Sequence, residues 1–446
     1  MKAVGRAATA VTIAAALFVA GGIGLVASTP RPDADAVIAG TVAPRSALLG
    51  PSVGVEPASS SIAVLQERLR GRPDDWRAYA SLGLAYVAQA RFTSDPSSYP
   101  RAEAALRRSL RINDLDNVDA VLGLGVLALA RHDFEAALRH GRRAATINPY
   151  SADAYGVIGD ALLELGRYRP AFEAFQTMVK RRPGLASYAR VSYARELLGD
   201  TRGAISAMRL AFEAAGTPAD AAWAAYHLGE LEWGMGDVRA AAWWYRRGLD
   251  LAPNDLRNLA GMAKVAWAHG DTDLAIERYS DVVARYPAVE YLTALGDLYA
   301  TTERPALAER QYAVVRATAD LAAANGVNVD LELAQFFADH GEPGRALAAA
   351  EAEMELRDTV HTADALAWAL HANGRLQEAA DASERALRLG THSAMLLFHA
   401  GMIRYELGEA VAARELFGEA LDRNPHFSIL HAATAERVLA RLERDE

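Results

Sequence analysis

The sequence predicts an all-α fold in which about ten copies of a helix-turn-helix unit stack into a solenoid. Two columns of small residues, which repeat about every 34 positions, lead to this prediction. The first column is alanine throughout, at Ala102, Ala137, Ala171, Ala204, Ala241, Ala275, Ala308, Ala346, Ala379 and Ala413. The second lies twelve positions upstream, at Gly125, Gly159, Ser192, Gly229, Ala263, Gly296, Ala334, Ala367 and Gly401, with Gly83 ahead of an insertion in the first unit.

The residues around these columns fit a pair of antiparallel helices. Small residues, one on each helix, allow the two helices to pack closely. A glycine between the helices favours a left-handed cap, as at Gly166, Gly199, Gly236, Gly270, Gly341, Gly374 and Gly408. A bulky residue often lies four positions after the alanine, on the same face, as at Leu106, Phe175, Met208, Tyr245, Tyr279, Tyr312 and Phe417. Proline, which ends the preceding helix, follows five units at Pro149, Pro183, Pro253, Pro287 and Pro425.

The segment before the array is divided into an apolar part, 1–28, and a proline-rich linker, 29–60. Ala7–Val26 carries no charge and is preceded by Lys2 and Arg6. Twenty helical residues span about 30 Å, so this stretch is long enough for a membrane anchor. A cleaved signal peptide and a buried helix are the alternatives. Positive residues beside a membrane segment usually stay on the cytoplasmic side, so the rest of the chain would face the outside of the cytoplasmic membrane. If the segment is cleaved, the chain would be secreted.

The array is predicted over 61–427, and a capping helix over 428–446. An N-terminal half repeat starts it, because Ile62, Leu65 and Leu69 share one face. The first unit contains an insertion between its helices, 91–100, which is interpreted as a tolerated surface loop. Leu430, Val438 and Leu442 are expected to cover the end of the solenoid.

The composition and the missing motifs argue against several classes of function. The net charge is −9 with both signs interspersed, which argues against nucleic acid. The chain contains no cysteine and no phosphate-loop, zinc-protease or serine-hydrolase motif. Neither an enzyme nor a cofactor is therefore predicted. His361, Asp364 and His371 share a helix face and are candidate transition-metal ligands, but solvated or core histidines are the preferred interpretation, so no metal is predicted.

These patterns resemble those of the tetratricopeptide repeat (TPR) family, over roughly 62–444. The third unit shows the family pattern in Tyr155, Ile158, Gly159, Gly166, Tyr168, Ala171, Phe175 and Pro183. The resemblance implies a right-handed superhelix whose first helices form a concave groove for a protein or peptide partner. The Ala- and Arg-rich composition, with the N-terminal segment, suggests an exported bacterial member. The groove positions lack the Asn and Lys that family members use to clamp a C-terminal carboxylate.

Side chains that face outward on the first helices give a candidate binding surface. It consists of Tyr193, Trp223, Tyr226, His227, Glu230, Trp233, Lys264, Trp267, Asp364, Trp368 and His371. Aromatic rings mixed with single charges are typical of interface hot spots, although the rings can also fill the inner curve of the superhelix as core. The sequence thus favours a membrane-tethered scaffold that binds another protein. The alternatives are a scaffold or regulatory subunit of a cell-envelope enzyme complex, and a metal- or small-ligand-binding envelope protein.

Overall fold

The computed structural model describes residues 58–93, 96–324 and 331–444, and this part of the chain forms twenty-two α-helices and no strand. The half repeat is α1 (Ala58–Gly71), and ten units of two helices follow it. The first helices are α2 (Trp76–Thr93), α4 (Val118–Ala130), α6 (Ala152–Glu164), α8 (Leu185–Leu197), α10 (Pro218–Gly234), α12 (Leu256–Ala268), α14 (Val289–Thr301), α16 (Leu331–Asp339), α18 (Val360–Ala372) and α20 (Ala394–Glu406). The second helices are α3 (Tyr99–Ile112), α5 (Phe134–Ile147), α7 (Tyr168–Arg181), α9 (Thr201–Glu213), α11 (Val238–Leu251), α13 (Thr272–Arg285), α15 (Pro305–Ala324), α17 (Pro343–Leu356), α19 (Leu376–Leu387) and α21 (Ala410–Arg423). The last helix is α22 (Ala432–Leu442), and the all-α solenoid is confirmed.

The two columns of small residues pack as predicted. All ten alanines of the first column are buried. The second column faces the bulky residue of the next helix: a Cβ atom added to Gly159 or Gly229 would lie 2.3 Å from a ring carbon of Phe175 or Tyr245, respectively. The fourth unit has Ser192 at this position, and its hydroxyl donates a hydrogen bond of 2.8 Å to the carbonyl of Ala204. The columns therefore mark the closest approach of the two helices in a unit.

Local signals fix the helix ends. Among the described residues, ten N-cap side chains accept a hydrogen bond from a backbone N–H in the first turn of the helix, each worth about 1 kcal/mol. They belong to Asp75, Asn117, Asp133, Ser151, Asp200, Thr217, Asp237, Asp255, Asp271 and Thr359. The seven turn glycines have φ between 69° and 81°, and in units 2 and 7 His132 and Glu303 adopt the same left-handed conformation.

The ends of the array differ in detail from the prediction. Helix α1 starts at Ala58 rather than at residue 61. The insertion in the first unit is partly helical, since α2 runs to Thr93 and a 3₁₀ turn, Pro96–Ser98, precedes α3. The capping helix starts at Ala432, not at residue 428, because the residues before it are used in contacts with distant units, described below. No helix among the described residues is both long enough and apolar enough to span a membrane. The predicted anchor, 1–28, and nearly all of the linker lie outside the described residues.

The first helices form the inner layer of the solenoid. Successive first helices contact one another, as in the pairs α2 and α4, α4 and α6, α10 and α12, and α16 and α18. Each second helix contacts the first helix of its own unit, and those of units 1 to 9 also contact the first helix of the next unit; between α15 and α16 the rings of Tyr312 and Phe336 make this contact. This arrangement places the first helices nearer to the superhelical axis, where neighbouring units are closest together.

The solenoid also contacts itself along what we call the seam. Here the turns within units 3, 4 and 5 meet the segments that follow units 8, 9 and 10. Three hydrogen bonds that involve a backbone atom join residues 191 to 194 positions apart: Val360 N–H to Tyr168 Oη (2.7 Å), Thr391 Oγ1 to Leu197 O (2.6 Å) and Asn424 Nδ2 to Trp233 O (2.9 Å). One turn of the superhelix is therefore packed directly on the next.

The turn glycines show how far the seam extends. A Cβ atom at Gly166, Gly199 or Gly236 would clash with a backbone carbonyl of the opposite segment, at 2.0, 2.4 and 2.7 Å. The equivalent turns at Gly270, Gly341, Gly374 and Gly408 have no such neighbour within 4 Å. The seam thus covers the turns of units 3 to 5 and leaves these later turns open.

A buried ion cluster lies within the seam. Arg357 donates to Glu164 across the seam at 2.8 Å and to Glu353 on its own side at 2.6 Å. The three side chains are only 3%, 7% and 1% exposed. Burial tends to lower the pKa of Arg357, but the two carboxylates outweigh it and hold that pKa above its ordinary value. The guanidinium is therefore the charge that allows two carboxylates to be buried here.

Candidate partner-binding surface

Four of the predicted groove residues surround one cavity on the inner layer. Tyr193 of α8 and Tyr226, His227 and Glu230 of α10 line it, together with Glu196. Positions three and four apart on a helix lie on the same face, which is why these residues of α8 and α10 meet here. Met208 of α9 also lines the cavity. The cavity has a volume of about 60 Å³, enough for the end of one side chain or for a few water molecules.

Glu230 is the centre of the polar contacts. Its carboxylate accepts a hydrogen bond of 2.7 Å from Tyr245 Oη and is bound by Lys264 Nζ, 2.7 Å from Oε2. The same ammonium lies 5.4 Å from the ring centroid of Trp233, within the range of a cation–π interaction. Burial and the charge of Glu230 raise the pKa of Tyr245 well above its ordinary value, so this phenol remains a donor. Lys264 and Trp233, both predicted groove residues, are thus connected to the cavity through Glu230.

A second carboxylate near this cluster has a strongly altered pKa. Burial raises the pKa of Glu290, on α14, to about 7, and the negative charge of Glu230 adds to the rise. A hydrogen bond from Tyr291 and the positive charge of Lys264 oppose it. Glu290 is therefore only partly ionised at neutral pH, and a cation placed beside it would favour its ionised form.

The predicted exposure of the tryptophans in units 5 and 6 is wrong. Trp223 and Trp233 are each only 8% exposed, and Trp267 is half-buried. Trp223 packs edge-on against His227, with 4.3 Å between ring centroids. The imidazole of His426 lies across the seam, 6.4 Å from the ring of Trp233 and 5.9 Å from that of Trp267. In this structure, Trp233 and Trp267 are therefore in contact with the later part of the same chain.

The three predicted residues of unit 9 lie in a separate, buried network. Trp368 stacks between His371 and His399, with centroid distances of 4.5 and 4.3 Å, and its indole N–H donates to Asp339 at 2.7 Å. Asp364 lies 3.0 Å from Nδ1 of His399. His371 is 3.1 Å from a carboxylate oxygen of Glu406, and His431 is 3.0 Å from Asp339.

This network joins units 8, 9 and 10 to the segment before the capping helix. Burial alone would raise the pKa of Asp339, but the hydrogen bonds and charges of its partners, His431 first, hold it below the ordinary value. Within the described residues, no group of three or more His, Asp or Glu side chains is arranged to hold a metal ion. The roles of Asn424 and His426 in covering Trp233 and Trp267 were missed, because no local pattern links residues 191 positions apart.

Comparison with known proteins identifies the repeat. A family model of the tetratricopeptide repeat matches residues 97–152, 130–186, 261–325 and 365–426. Among solved structures, a thermophilic TPR protein of Thermus thermophilus is 21% identical over 42% of this chain and 99% of its own, with a TM-score of 0.37. PilF of Pseudomonas aeruginosa is 19% identical over 50% of this chain and 96% of its own, with a TM-score of 0.38.

A chain of the APC/C hetero-tetramer Cut9-Hcn1 is 16% identical over 87% of this chain and 67% of its own, with a TM-score of 0.38. No curated protein matches the chain in sequence. The matched segments, together with ten units whose alanine column is buried throughout, show that the chain belongs to the tetratricopeptide repeat family.

Proposed function

We propose that this chain is a protein-binding scaffold whose inner cavity takes a cationic side chain of a partner. Tetratricopeptide repeats typically bind other proteins, and the lining of the cavity points to the chemistry of the bound group. Glu196 and Glu230 supply two carboxylates against the single positive charge of Lys264, and Tyr193, Tyr226 and His227 supply ring faces. Carboxylates and aromatic faces both attract an ammonium or guanidinium group.

The charge around the cavity supports this choice. The chain carries a net charge of −9, and Glu290 lies close enough to Glu230 for the two charges to interact. A bound cation would lower the pKa of Glu290 from about 7 and expel its proton. Binding at neutral pH should therefore release protons.

The test uses a short lysine-rich peptide as the probe and a glutamate-rich peptide of equal length as its control. Titration calorimetry in two buffers of different ionisation enthalpy measures both affinity and proton release. Glu196→Gln should weaken binding of the lysine-rich peptide about tenfold, equivalent to about 1.4 kcal/mol. Glu277→Gln removes the same charge from an exposed site on α13 and should leave the affinity unchanged. Equal affinity for the two peptides, or equal effects of the two substitutions, would contradict the proposal.

The proposal extends to the place where the scaffold acts. The uncharged stretch Ala7–Val26, with Lys2 and Arg6 before it, supports export of the array and its retention by a membrane anchor. Sequencing the mature N-terminus and fractionating the cells test this directly. A mature chain that starts near Ser28 and is recovered in the soluble fraction would replace the anchor with a cleaved signal peptide.

A further inference from the structure

We infer that Trp233 and Trp267, which do not line the cavity, form a second docking site for a segment in which Asn-Pro is followed by an aromatic or imidazole side chain. The chain's own residues 424–429, which we call the strap, occupy this site in the structure. The inference concerns a different surface and a different ligand chemistry from the cationic cavity.

The strap makes both polar and apolar contacts with the site. Asn424 is buried, and its amide donates a hydrogen bond of 2.9 Å to the carbonyl of Trp233. The ring of His426 lies against both tryptophans, and Ile429 packs on the apolar cluster that contains Trp267. Phe427 points the other way and packs on Phe398, which holds the strap to its own unit.

A second copy of the same loop shows that these contacts are not a consequence of loop shape. Asn148, Pro149 and Tyr150 follow α5 as Asn424, Pro425 and His426 follow α21. In both loops the asparagine Oδ1 accepts a hydrogen bond from the backbone N–H two residues later, at 3.0 and 2.8 Å. Yet Asn148 is exposed and Tyr150 is 75% exposed. The loop thus forms without a docking site. The strap contacts depend on the carbonyl of Trp233 and on the indole rings of Trp233 and Trp267.

The site recognises features that any chain can present. It offers one backbone carbonyl to an amide donor and two indole rings to a planar side chain two positions further on. Proline between these two fixes the backbone, which lowers the entropy cost of binding. A partner segment with this chemistry would compete with the strap. The tethered strap has the advantage of a high effective concentration, so the site is accessible only when the strap is released.

The experiment measures binding of a fluorescent peptide that corresponds to residues 422–431, by anisotropy, to the full-length chain. The combined variant Asn424→Ala with His426→Ala weakens the strap without touching the tryptophans. We expect it to bind the peptide at least about tenfold more tightly than the unmodified chain, in which the tethered strap competes. The matched control, Asn148→Ala with Tyr150→Ala, makes the same change in the equivalent loop and should behave as the unmodified chain.

Two further measurements keep the outcome decisive. A peptide in which alanine replaces the residues equivalent to Asn424 and His426 should not bind to the strap variant. If circular dichroism shows that the combined variant has lost its helices, His426→Ala alone takes its place, since it leaves the hydrogen bond to Trp233 intact. Absence of peptide binding to a folded strap variant, or equal binding to the strap and control variants, would overturn the inference. Neither result bears on the lysine-rich peptide, so the two proposals are tested independently.

Discussion

Replacing Arg357 with methionine should destabilise the protein by about 3–5 kcal/mol, the usual cost of removing one partner from a buried ion pair. The guanidinium lies 2.8 Å from Glu164 and 2.6 Å from Glu353, and the three side chains are almost fully buried. Methionine fills much of the same volume, so the cavity contribution is small. The loss therefore comes from two buried carboxylates that are left without a cation.

Urea unfolding of the full chain measures the change in the free energy of unfolding, and Arg190→Met is the matched control. Arg190 forms an equally buried pair with Asp160, but the two lie on neighbouring first helices rather than across the seam. Both variants should lose stability, whereas only Arg357→Met should accelerate hydrogen exchange of the Val360 amide, which donates across the seam to Tyr168. Adding Glu164→Gln and Glu353→Gln to Arg357→Met should restore much of the loss. A change below about 1 kcal/mol for Arg357→Met would refute the assignment of this cluster as a buried ion network.

Three further changes test the packing and the electrostatics. Ala275→Leu should cost about 1–3 kcal/mol in urea unfolding, because the position is fully buried in the alanine column. Gly229→Ala should lower the free energy of unfolding by a similar amount, because its Cβ would lie 2.3 Å from the ring of Tyr245. Gly234→Ala, on the same helix, has nothing within 4 Å and should lower it by less than about 0.5 kcal/mol. Equal effects of the two substitutions would contradict the close approach at Gly229. Glu290 has a native pKa of about 7 against an ordinary 4.5, so the native state binds more protons between these values and stability falls as pH rises through them. Glu290→Gln should therefore reduce the difference in Tm between pH 5 and pH 8 that the unmodified chain shows.

Most of the fold could be predicted from the sequence because its determinants are local. A unit folds against its neighbours, so the residues that define it recur at a fixed spacing. The alanine column and the turn glycines have the burial and the φ angles expected of them. The predictions for the insertion in the first unit and for the start of the capping helix were less accurate, since neither feature belongs to the repeat.

The site was predictable only in part. Helical spacing put Tyr226, His227 and Glu230 on one face of α10, and in the structure they line one cavity with Tyr193, while their role in binding stays a prediction. Spacing gives the direction of a side chain, but it does not show what covers that side chain. Trp233 was expected to be exposed and is buried, because Asn424 and His426 reach it from five units further along the array. A repeat pattern contains no signal for the distance at which successive superhelical turns meet.

The seam also sets an order of events during synthesis. Its hydrogen bonds join residues about 190 positions apart, and ribosomes add roughly 5–20 residues per second, so the turns of units 3 to 5 emerge roughly 10–40 s before the segments that cover them. Closing a loop of this length costs about 1.5 kcal/mol more than closing one of a single repeat. Neighbouring units can therefore fold as they emerge, while Trp233 and Trp267 stay uncovered until the strap has been synthesised. During this interval the incomplete array displays an aromatic surface that the strap covers in the finished protein, and a chaperone that recognises such surfaces would bind it before the last units are made.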